Sequence, residues 1–404
     1  MSDASNPHEP YGVRAVELEI DESLNAWRGD RSVYWDHDRQ AWIVTGYDEV
    51  AAILQDAKRF WRDIPLRSGA DQFWGPHLLN SKGARHRRLH ALHMKLTGEQ
   101  FADDIRGLVA RIAREISGGL LVAGKGELAA EYADTIPFLV GFEFLGLDTS
   151  DRSLMETLLS AMRIRAKWKE ALHAGSGIPL ESRVAQDGIV AIGQMADALL
   201  PTIRRRRDSP GDDLISAFWK EGTGTFADWD ETDMVTSCWS CLDNETKPLL
   251  RGLLYLLCRD QEWQSRLRAD ESLIPRFVEE GIRYLTPFRT IRRVANCDTE
   301  LGGQKIREGD GFYLITPLAN RDASRWECPH SFTPSRPETA NHFGFGLGAG
   351  YCVGRYVGRV EASEAIKALV SMTSRIALDP DAAAKPRWSG EMYHSIFPLH
   401  AIVE

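Results

Sequence analysis

Apolar residues three and four positions apart recur through the middle of the chain and predict amphipathic helices. The clearest cases are residues 101–123, 189–207 and 273–285, where this spacing collects the apolar side chains on one face. Another helix is expected in the segment PGDDLISAFW, with Asp212 or Asp213 as its N-cap. The central part of the chain is therefore predicted to be helical.

Shorter apolar runs near both ends of the chain predict β-strands. Residues 41–56 indicate a short strand, a turn at Gly46 and then a helix capped by Asp48. From Thr290 onward, short apolar runs are separated by glycine turns. An irregular, proline-containing segment follows at residues 319–343, and long loops inside compact domains are usually functional.

The whole pattern predicts a mainly α fold with a smaller β portion. We expect one domain spanning residues 1–404, with residues 1–20 as a flexible N-terminal segment. Hydrophobic residues make up 43% of the chain and charged residues 26%, which is typical of a globular enzyme large enough to enclose a cofactor.

Charge and hydropathy exclude several classes of partner. The net charge of -9 argues against nucleic acid, because phosphate binding needs a basic surface. No basic segment followed by an apolar run begins the chain, and no apolar stretch approaches the roughly 20 residues of a membrane span. We therefore expect a soluble, cytoplasmic protein without a membrane partner.

Six cysteines are scattered along the chain, and reduced thiols are expected. Cys238 and Cys241 form a CxxC pair, which is compatible with redox chemistry or zinc. No second pair and no histidines follow at zinc spacing, and the surrounding sequence predicts an apolar helix. The more economical interpretation is that both cysteines pack as small hydrophobic residues.

The segment NHFGFGLGAGYCVGRYVGRVEA surrounds Cys352 with glycines. Gly344, Gly346 and Ala349 fit a dinucleotide-binding fingerprint, but that motif must follow a buried strand and the preceding residues do not predict one. A catalytic thiol at Cys352 would need a histidine base, which the sequence alone does not exclude.

A thiolate ligand to haem iron is the third possibility for Cys352. The N-terminus of the helix expected after it would stabilise a negative sulfur. Glycines would allow the backbone to approach a flat macrocycle closely. A strongly electron-donating thiolate favours cleavage of an O–O bond on iron.

The cysteine segment resembles that of the bacterial cytochrome P450 family. Phe345, Gly346, Gly348, Cys352 and Gly354 follow the family pattern FGxGxHxCxG. The resemblance implies that Cys352 is the iron ligand, that the cofactor is haem b (iron protoporphyrin IX), and that Phe345, Gly346 and Gly354 lie against it.

Two further segments match the same family in the expected order. Glu280 and Arg283 resemble its ExxR pair, whose spacing places both side chains on one helix face. Arg336 in SFTPSRP occupies the place of the arginine that joins this pair. The resemblance implies that these three residues hold the scaffold beneath the cofactor. An isolated ExxR would otherwise indicate a surface ion pair.

Haem propionates are expected to contact Arg293 and His86, which match family positions. His90 stands where the family has an arginine, and Gly350 stands where it commonly has histidine or arginine. Arg292 is expected to contribute to the anchoring as well. With histidines in these roles, haem retention should weaken as the pH rises above their pKa range. The alternative for the basic run around His86 is a solvated helix face.

Residues 237–257 resemble the long helix on which the family activates oxygen. Glu245 and Thr246 match its acid–alcohol pair, which can pass protons through water to the distal side of the iron. Asp243 replaces a glycine there, and we include it among the candidate catalytic residues. A polar helix turn at the surface is the alternative interpretation.

Asp243 and Lys247 are unusual so close to a haem, because a buried charge is costly unless it is paired. Either they pair with each other or line a polar pocket that suits a substrate with an amine or carboxylate, or the helix has another register. Pro248 removes a backbone donor and is expected to kink the helix.

The resemblance implies a haem-thiolate monooxygenase. We expect it to oxidise a small, polar or peptide-like natural-product intermediate in secondary metabolism, with residues 162–184 as an access lid. Oxidative coupling or decarboxylation without oxygen insertion, and a non-catalytic haem-binding protein, remain alternatives. Electrons are expected from a ferredoxin-type donor with its reductase. The arginines expected to dock that acidic donor are Arg85, Arg87, Arg88, Arg355 and Arg359.

Overall fold

The computed structural model describes residues 24–62, 77–173, 179–243, 245–337, 339–390 and 392–404. The predicted N-terminal segment lies outside these residues. Within them, no helix is both long enough and apolar enough to cross a membrane.

Helices account for most of the described chain. In chain order they are α1 (Tyr47–Gln55), α2 (Gly83–Leu96), α3 (Glu99–Asp104), α4 (Arg106–Ala123), α5 (Thr135–Phe144), α6 (Arg152–His173), α7 (Arg183–Asp208), α8 (Leu214–Thr225), α9 (Glu231–Leu242), α10 (Thr246–Arg259), α11 (Gln261–Ala269), α12 (Ile274–Leu285), α13 (Thr316–Ala319) and α14 (Arg355–Met372).

The strands are short and lie towards the two ends of the chain. They are β1 (Val33–Asp36), β2 (Ala41–Val44), β3 (Phe60–Trp61), β4 (Lys125–Glu127), β5 (Thr290–Ala295), β6 (Thr299–Leu301), β7 (Gln304–Ile306), β8 (Gly311–Ile315), β9 (Ile376–Leu378), β10 (Arg387–Ser389), β11 (Ser395–Phe397) and β12 (His400–Val403).

The largest sheet joins the two ends of the chain. Its strand order is β1-β2-β8-β5-β3, with β2 and β8 parallel and the other neighbours antiparallel. Trp42 is paired with Phe312 in this register, and Arg293 of β5 is paired with the same residue from the other side. The sheet therefore fixes Arg293 relative to the N-terminal third of the chain.

The predicted fold class is confirmed, and so are most of the expected elements. Asp213 is the N-cap of α8 and accepts a hydrogen bond from the Ser216 N–H. Cys238 is buried within α9, as expected for a small hydrophobic residue, and the described cysteines are free thiols. The residues before Gly344 form turns and a short 3-10 helix rather than a strand, so the dinucleotide-binding interpretation is excluded.

Two local predictions were wrong in detail. Gly46, not Asp48, occupies the N-cap position of α1, and Asp48 lies in the first turn, where its charge still favours the helix. The helix expected over residues 237–257 is not kinked but interrupted, with α9 ending at Leu242 and α10 beginning at Thr246. In a continuous helix, the Pro248 ring would clash with the carbonyl four residues earlier, and the helix is therefore interrupted before Pro248.

A buried ion pair joins α12 to the irregular segment that leads into the cysteine loop. Arg283 donates to Glu280 through Nε (2.8 Å) and Nη2 (2.7 Å), and neither side chain is exposed. Arg336 approaches the same carboxylate at 3.6 Å, so the predicted trio is confirmed. Arg283 also donates to the backbone carbonyls of Asn320 and Ser331, which fixes the path of the segment.

We expect the substitution Glu280→Gln to lower the free energy of unfolding by about 3–5 kcal/mol. The amide keeps the shape of the side chain but leaves the Arg283 guanidinium as an uncompensated buried charge. Urea unfolding followed by circular dichroism measures the change.

Glu262→Gln is the matched control. Glu262 also faces an arginine on its own helix, but both side chains are largely exposed and 3.9 Å apart, so its loss should cost below about 1 kcal/mol. Equal losses in the two variants would contradict a structural role for the buried pair.

Candidate active site

A cavity of about 400 Å³ lies between the cysteine loop and the break between α9 and α10. The residues that line it include Phe345, Gly346, Cys352 and Gly354 of the cysteine loop, and Asp243 and Glu245 from the break. The structure thus brings the predicted metal ligand and the predicted catalytic acids to the same space. Thr246 and Arg293 also contribute to the wall.

The cysteine loop is held by its own backbone and by a glycine, Gly348, whose replacement would strain the structure. The Cys352 N–H donates to the Phe345 carbonyl at 3.0 Å, and Gly346 has φ +73°. Gly348 has φ +67°, and a β-carbon there would lie 2.4 Å from the Leu54 carbonyl oxygen. The glycines therefore permit both a left-handed backbone and a close approach to α1.

The Cys352 thiol is directed into the cavity just before the N-terminus of α14. Burial raises the pKa of Cys352, whereas the Gly354 N–H and the positive charge of Arg355 act in the opposite direction. These two groups would stabilise a thiolate bound to a cation. The loop thus has the chemistry that an iron–sulfur bond to haem requires.

Two cationic side chains converge beside Gly350 at one edge of the cavity. A β-carbon at Gly350 would lie 3.1 Å from Arg62 Nη2 and 3.3 Å from Arg293 Nη2. Burial lowers the pKa of Arg293 to about 9, and the neighbouring charge of Arg62 acts in the same direction. Neither guanidinium reaches a carboxylate among the residues that the structure describes. Unbalanced buried cations of this kind fit the carboxylates of a haem.

The two predicted histidines are placed differently from each other. His86 is buried against Trp61, and its Nε2 has no hydrogen-bond partner among the described residues. Burial first, and then the charge of Arg62, lowers the pKa of His86 to about 4. His90 points its Nε2 at the Tyr351 carbonyl, 2.9 Å away, and therefore braces the cysteine loop.

The pH dependence expected of haem retention stays a prediction. Burial and the charge of Arg62 lower the pKa of His86 to about 4, and His86 is not among the residues that line the cavity. His90 is bound to the loop backbone and is not among the residues that line the cavity. The arginines, rather than the histidines, supply the positive charge at this edge.

Asp243 lies at the C-terminal end of α9 and binds two cations of α6. It accepts hydrogen bonds from Arg165 and, at 3.2 Å, from Lys169 Nζ, and both of these side chains are buried. Burial alone would raise the pKa of Asp243, but Lys169 and Arg165 lower it well below its usual range. Of the alternatives for Asp243, the polar pocket wall agrees with the structure, because its hydrogen-bonding cations are Arg165 and Lys169 rather than Lys247.

Glu245 extends the same network across the cavity wall. Its carboxylate accepts hydrogen bonds from Lys169 Nζ (2.6 Å) and the Tyr393 hydroxyl (2.5 Å). Burial and the neighbouring charge of Asp243 raise the pKa of Glu245, although Lys169 acts in the opposite direction. This wall joins α6, the α9–α10 break and the C-terminal region.

Thr246 is turned towards α14. Its hydroxyl donates to Glu361 at 2.7 Å, and both side chains are buried. Thr246 Oγ1 also lies 3.3 Å from the position that a β-carbon of Gly358 would occupy. The acid–alcohol pair of the sequence is thus extended by a second carboxyl group from the helix that follows the cysteine.

Sequence reasoning missed several residues that complete the site. Glu361 lies in the segment that follows Cys352 directly, so its position could have been noticed. Arg165 and Lys169 are four residues apart on α6, within the predicted lid, but nothing in that helix identifies its partners. Arg62 gives no local signal, because only the tertiary fold brings β3 beside Gly350. Residues 174–178 of the predicted lid lie outside the described residues.

The predicted basic surface divides into three parts. Arg85 pairs with Asp228 and Asp233, so its charge is balanced. Arg359 is likewise neutralised by two hydrogen bonds to Glu279. Arg88 packs over a phenylalanine ring, as Arg85 does.

Two arginines of that surface remain beside the cysteine loop. Arg355 donates to the Cys352 carbonyl at 2.9 Å. Arg87 is exposed on α2, one turn before His90, which contacts the loop.

Known proteins are similar to this chain along most of its length. The family model described as cytochrome P450 matches residues 250–372. Cytochrome P450 107B1 of Saccharopolyspora erythraea is 29% identical over 360 residues, which are 84% of each chain. Cyclomarin C epoxidase CymV of Salinispora arenicola is 27% identical over 373 residues, which cover 90% of this chain and 92% of that protein.

Solved structures show the same fold. The crystal structure of HmtT, which is involved in himastatin biosynthesis, superposes with a TM-score of 0.83 at 24% identity, over 95% of this chain and 99% of HmtT. A Bacillus megaterium cytochrome P450 in complex with testosterone gives a TM-score of 0.82 at 23% identity, over 96% and 99% of the two chains. The family-model match and these relatives together support a bacterial cytochrome P450, a haem b-dependent oxidoreductase.

Proposed function

We propose that this protein is a haem-thiolate monooxygenase that oxidises a small natural-product intermediate. The observation that carries the proposal is the Cys352 thiol, which faces a cavity between a glycine loop and a wall of proton-carrying side chains. Relatives of the chain include enzymes named as a cyclomarin C epoxidase, a 6-deoxyerythronolide B hydroxylase and a polyketide biosynthesis cytochrome P450. They support a tailoring role in secondary metabolism.

When bound at Cys352, the haem would supply the activation of dioxygen. The protein would hold it between the cysteine loop and Thr246, with Phe345 and Gly346 against the macrocycle and Arg293 on a propionate. The glycines leave space for the macrocycle, and the charge of Arg293 lacks a carboxylate partner among the described residues.

Proton delivery is the part of the reaction for which the chain supplies its own groups. Glu361 and Thr246 share a hydrogen bond of 2.7 Å, and Glu245 is the residue immediately before Thr246. The raised pKa of Glu245 holds it closer to protonation than an ordinary glutamate, which suits a proton donor. We assign Thr246 and Glu245 to proton transfer, and Asp243 to positioning of Lys169 beside Glu245.

The substrate is proposed to be polar or peptide-like because charged groups line part of an otherwise apolar cavity. Lys169, Asp243 and Glu245 form one connected network there, with Tyr393 at its end. An amine, amide or hydroxyl of the substrate could exchange hydrogen bonds with this network. Turnover with NADPH, a surrogate ferredoxin and its reductase tests the activity. One added oxygen in the product supports monooxygenation, whereas loss of hydrogens or of carbon dioxide would show coupling or decarboxylation.

The electron donor is proposed to be a ferredoxin that docks at Arg87 and Arg355. Arg355 contacts the cysteine loop directly, and Arg87 lies on α2 one turn before His90, which contacts the same loop. An acidic partner would be steered to this place by their charge.

The substitution Cys352→Ser should abolish the strongly red-shifted Soret band of the reduced carbon monoxide complex, because an alcohol does not replace a thiolate as iron ligand. Cys241→Ser is the matched control, since Cys241 also lines the cavity but from its opposite wall. That variant should keep the band. A red-shifted band in Cys352→Ser would overturn the assignment of the ligand.

Thr246→Val should lower the rate of product formation by about 100-fold while NADPH consumption continues, because the hydroxyl of the relay is lost. Thr246→Ser keeps the hydroxyl and should recover most of the product. The measurement is product formed per NADPH consumed. Unchanged coupling in Thr246→Val would exclude a role in proton transfer.

Arg87→Glu should slow reduction of the iron by ferredoxin and weaken the dependence of that rate on ionic strength. Reduction by dithionite, which needs no docking, should be unchanged. Arg88→Glu is the neighbouring control, with a smaller expected effect because Arg88 faces Phe226. Equal effects of both variants in stopped-flow reduction would exclude a specific docking place.

A further inference from the structure

A cation from an unexpected part of the chain occupies the space that the glycine at position 350 leaves open. Arg62 follows β3, nearly 300 residues before the cysteine loop in sequence. Its Nη2 lies 3.1 Å and its Nε 3.5 Å from the position that a β-carbon of Gly350 would occupy. A side chain at position 350 would therefore compete with Arg62 for the same volume.

The structure holds Arg62 there at an electrostatic cost. Its guanidinium donates to the Leu78 carbonyl at 3.0 Å and stacks near Trp61, but it reaches no carboxylate among the described residues. Burial lowers the pKa of Arg62 to about 10. Arg293 stands beside it with the same charge. Two adjacent buried cations repel each other unless an anion lies between them.

That anion must reach both guanidiniums from the cavity. Arg62, Arg293 and Gly350 all line the cavity into which Cys352 points. His86, the candidate base on α2, is not among the residues that line this cavity. A ligand with two carboxylates at one edge and a metal centre at the sulfur matches this arrangement, and it is the haem of the proposed function.

We propose that Arg62 binds a haem propionate and takes over the contact that Gly350 lacks. Arg62 and Arg293 would then both bind propionate carboxylates, because a planar guanidinium binds a carboxylate through two parallel hydrogen bonds. Gly350 is the complementary change, because its missing side chain gives the arginine access. The inference rests on the proposed function only in requiring that haem binds at Cys352.

Transfer of haem to excess apomyoglobin, followed by absorbance, tests the proposal without any enzymatic activity. Arg62→Gln should release haem faster by about tenfold or more. A charge-assisted hydrogen bond contributes enough binding free energy to change the dissociation constant by more than about tenfold. Arg62→Lys keeps the charge but loses the paired donors of the planar guanidinium, so it should release haem at an intermediate rate. Arg88→Gln on α2 is the control and should match the unmodified protein.

A swap of the two positions tests the complementarity. Gly350→His alone should also release haem faster, because the imidazole beyond the β-carbon would displace the nearby guanidinium groups of Arg62 and Arg293. Arg62→Gln combined with Gly350→His should restore retention towards that of the unmodified protein, since the histidine occupies the vacated space. The red-shifted carbon monoxide band should persist in all variants, because the thiolate is untouched.

The outcomes separate this inference from the proposed function. Release from Arg62→Gln at the rate of the unmodified protein would overturn the role of Arg62 while leaving the haem site intact. Loss of the red-shifted band in Arg62→Gln would show instead that Arg62 acts through the sulfur, which also overturns the proposal. If the unmodified protein bound no haem, the proposed function itself would fail.

Discussion

The buried pair of Glu280 and Arg283 is the interaction on which the position of the cysteine loop depends. A single charge in this environment would be severely destabilising, so each partner is stable only because the other is present. Arg283 uses its remaining donors on backbone carbonyls of the irregular segment, and Glu280 accepts a hydrogen bond from the Thr333 N–H. An irregular segment thereby gains fixed geometry without being a helix or a strand.

The cysteine loop inherits its position from this segment. The Asn320 carbonyl accepts a hydrogen bond from Arg283, and the Asn320 side-chain oxygen accepts one from the Phe343 N–H just before the loop. The loop then turns back so that the Cys352 N–H meets the Phe345 carbonyl. Hydrogen bonds and short backbone segments thus lead from the interior of α12 to the backbone of Cys352. Small displacements are resisted because every group along the way is buried or satisfied.

At the break between α9 and α10, charged side chains stand where the related oxygen-activating helix has small residues. The break between α9 and α10 leaves Asp243 and Glu245 directed towards α6, where Lys169 bridges them. These charges are tolerated near an apolar cavity because each has a partner of opposite sign. The same network connects α6 to Tyr393 near the C-terminus, because the Tyr393 hydroxyl donates to Glu245.

Local spacing in the sequence predicted most of the helices and the pair of Glu280 and Arg283. The family resemblance, not the spacing, pointed to Arg336 and to the cysteine. The sequence did not determine which groups face each other across the cavity. The partners of Asp243 come from α6, and the cation beside Gly350 comes from β3, far away in the chain. Long-range packing chose these contacts, since a charged side chain carries no local mark of the partner that neutralises it. The tertiary structure therefore decided the electrostatics of the site, whereas the sequence had already determined its thiol.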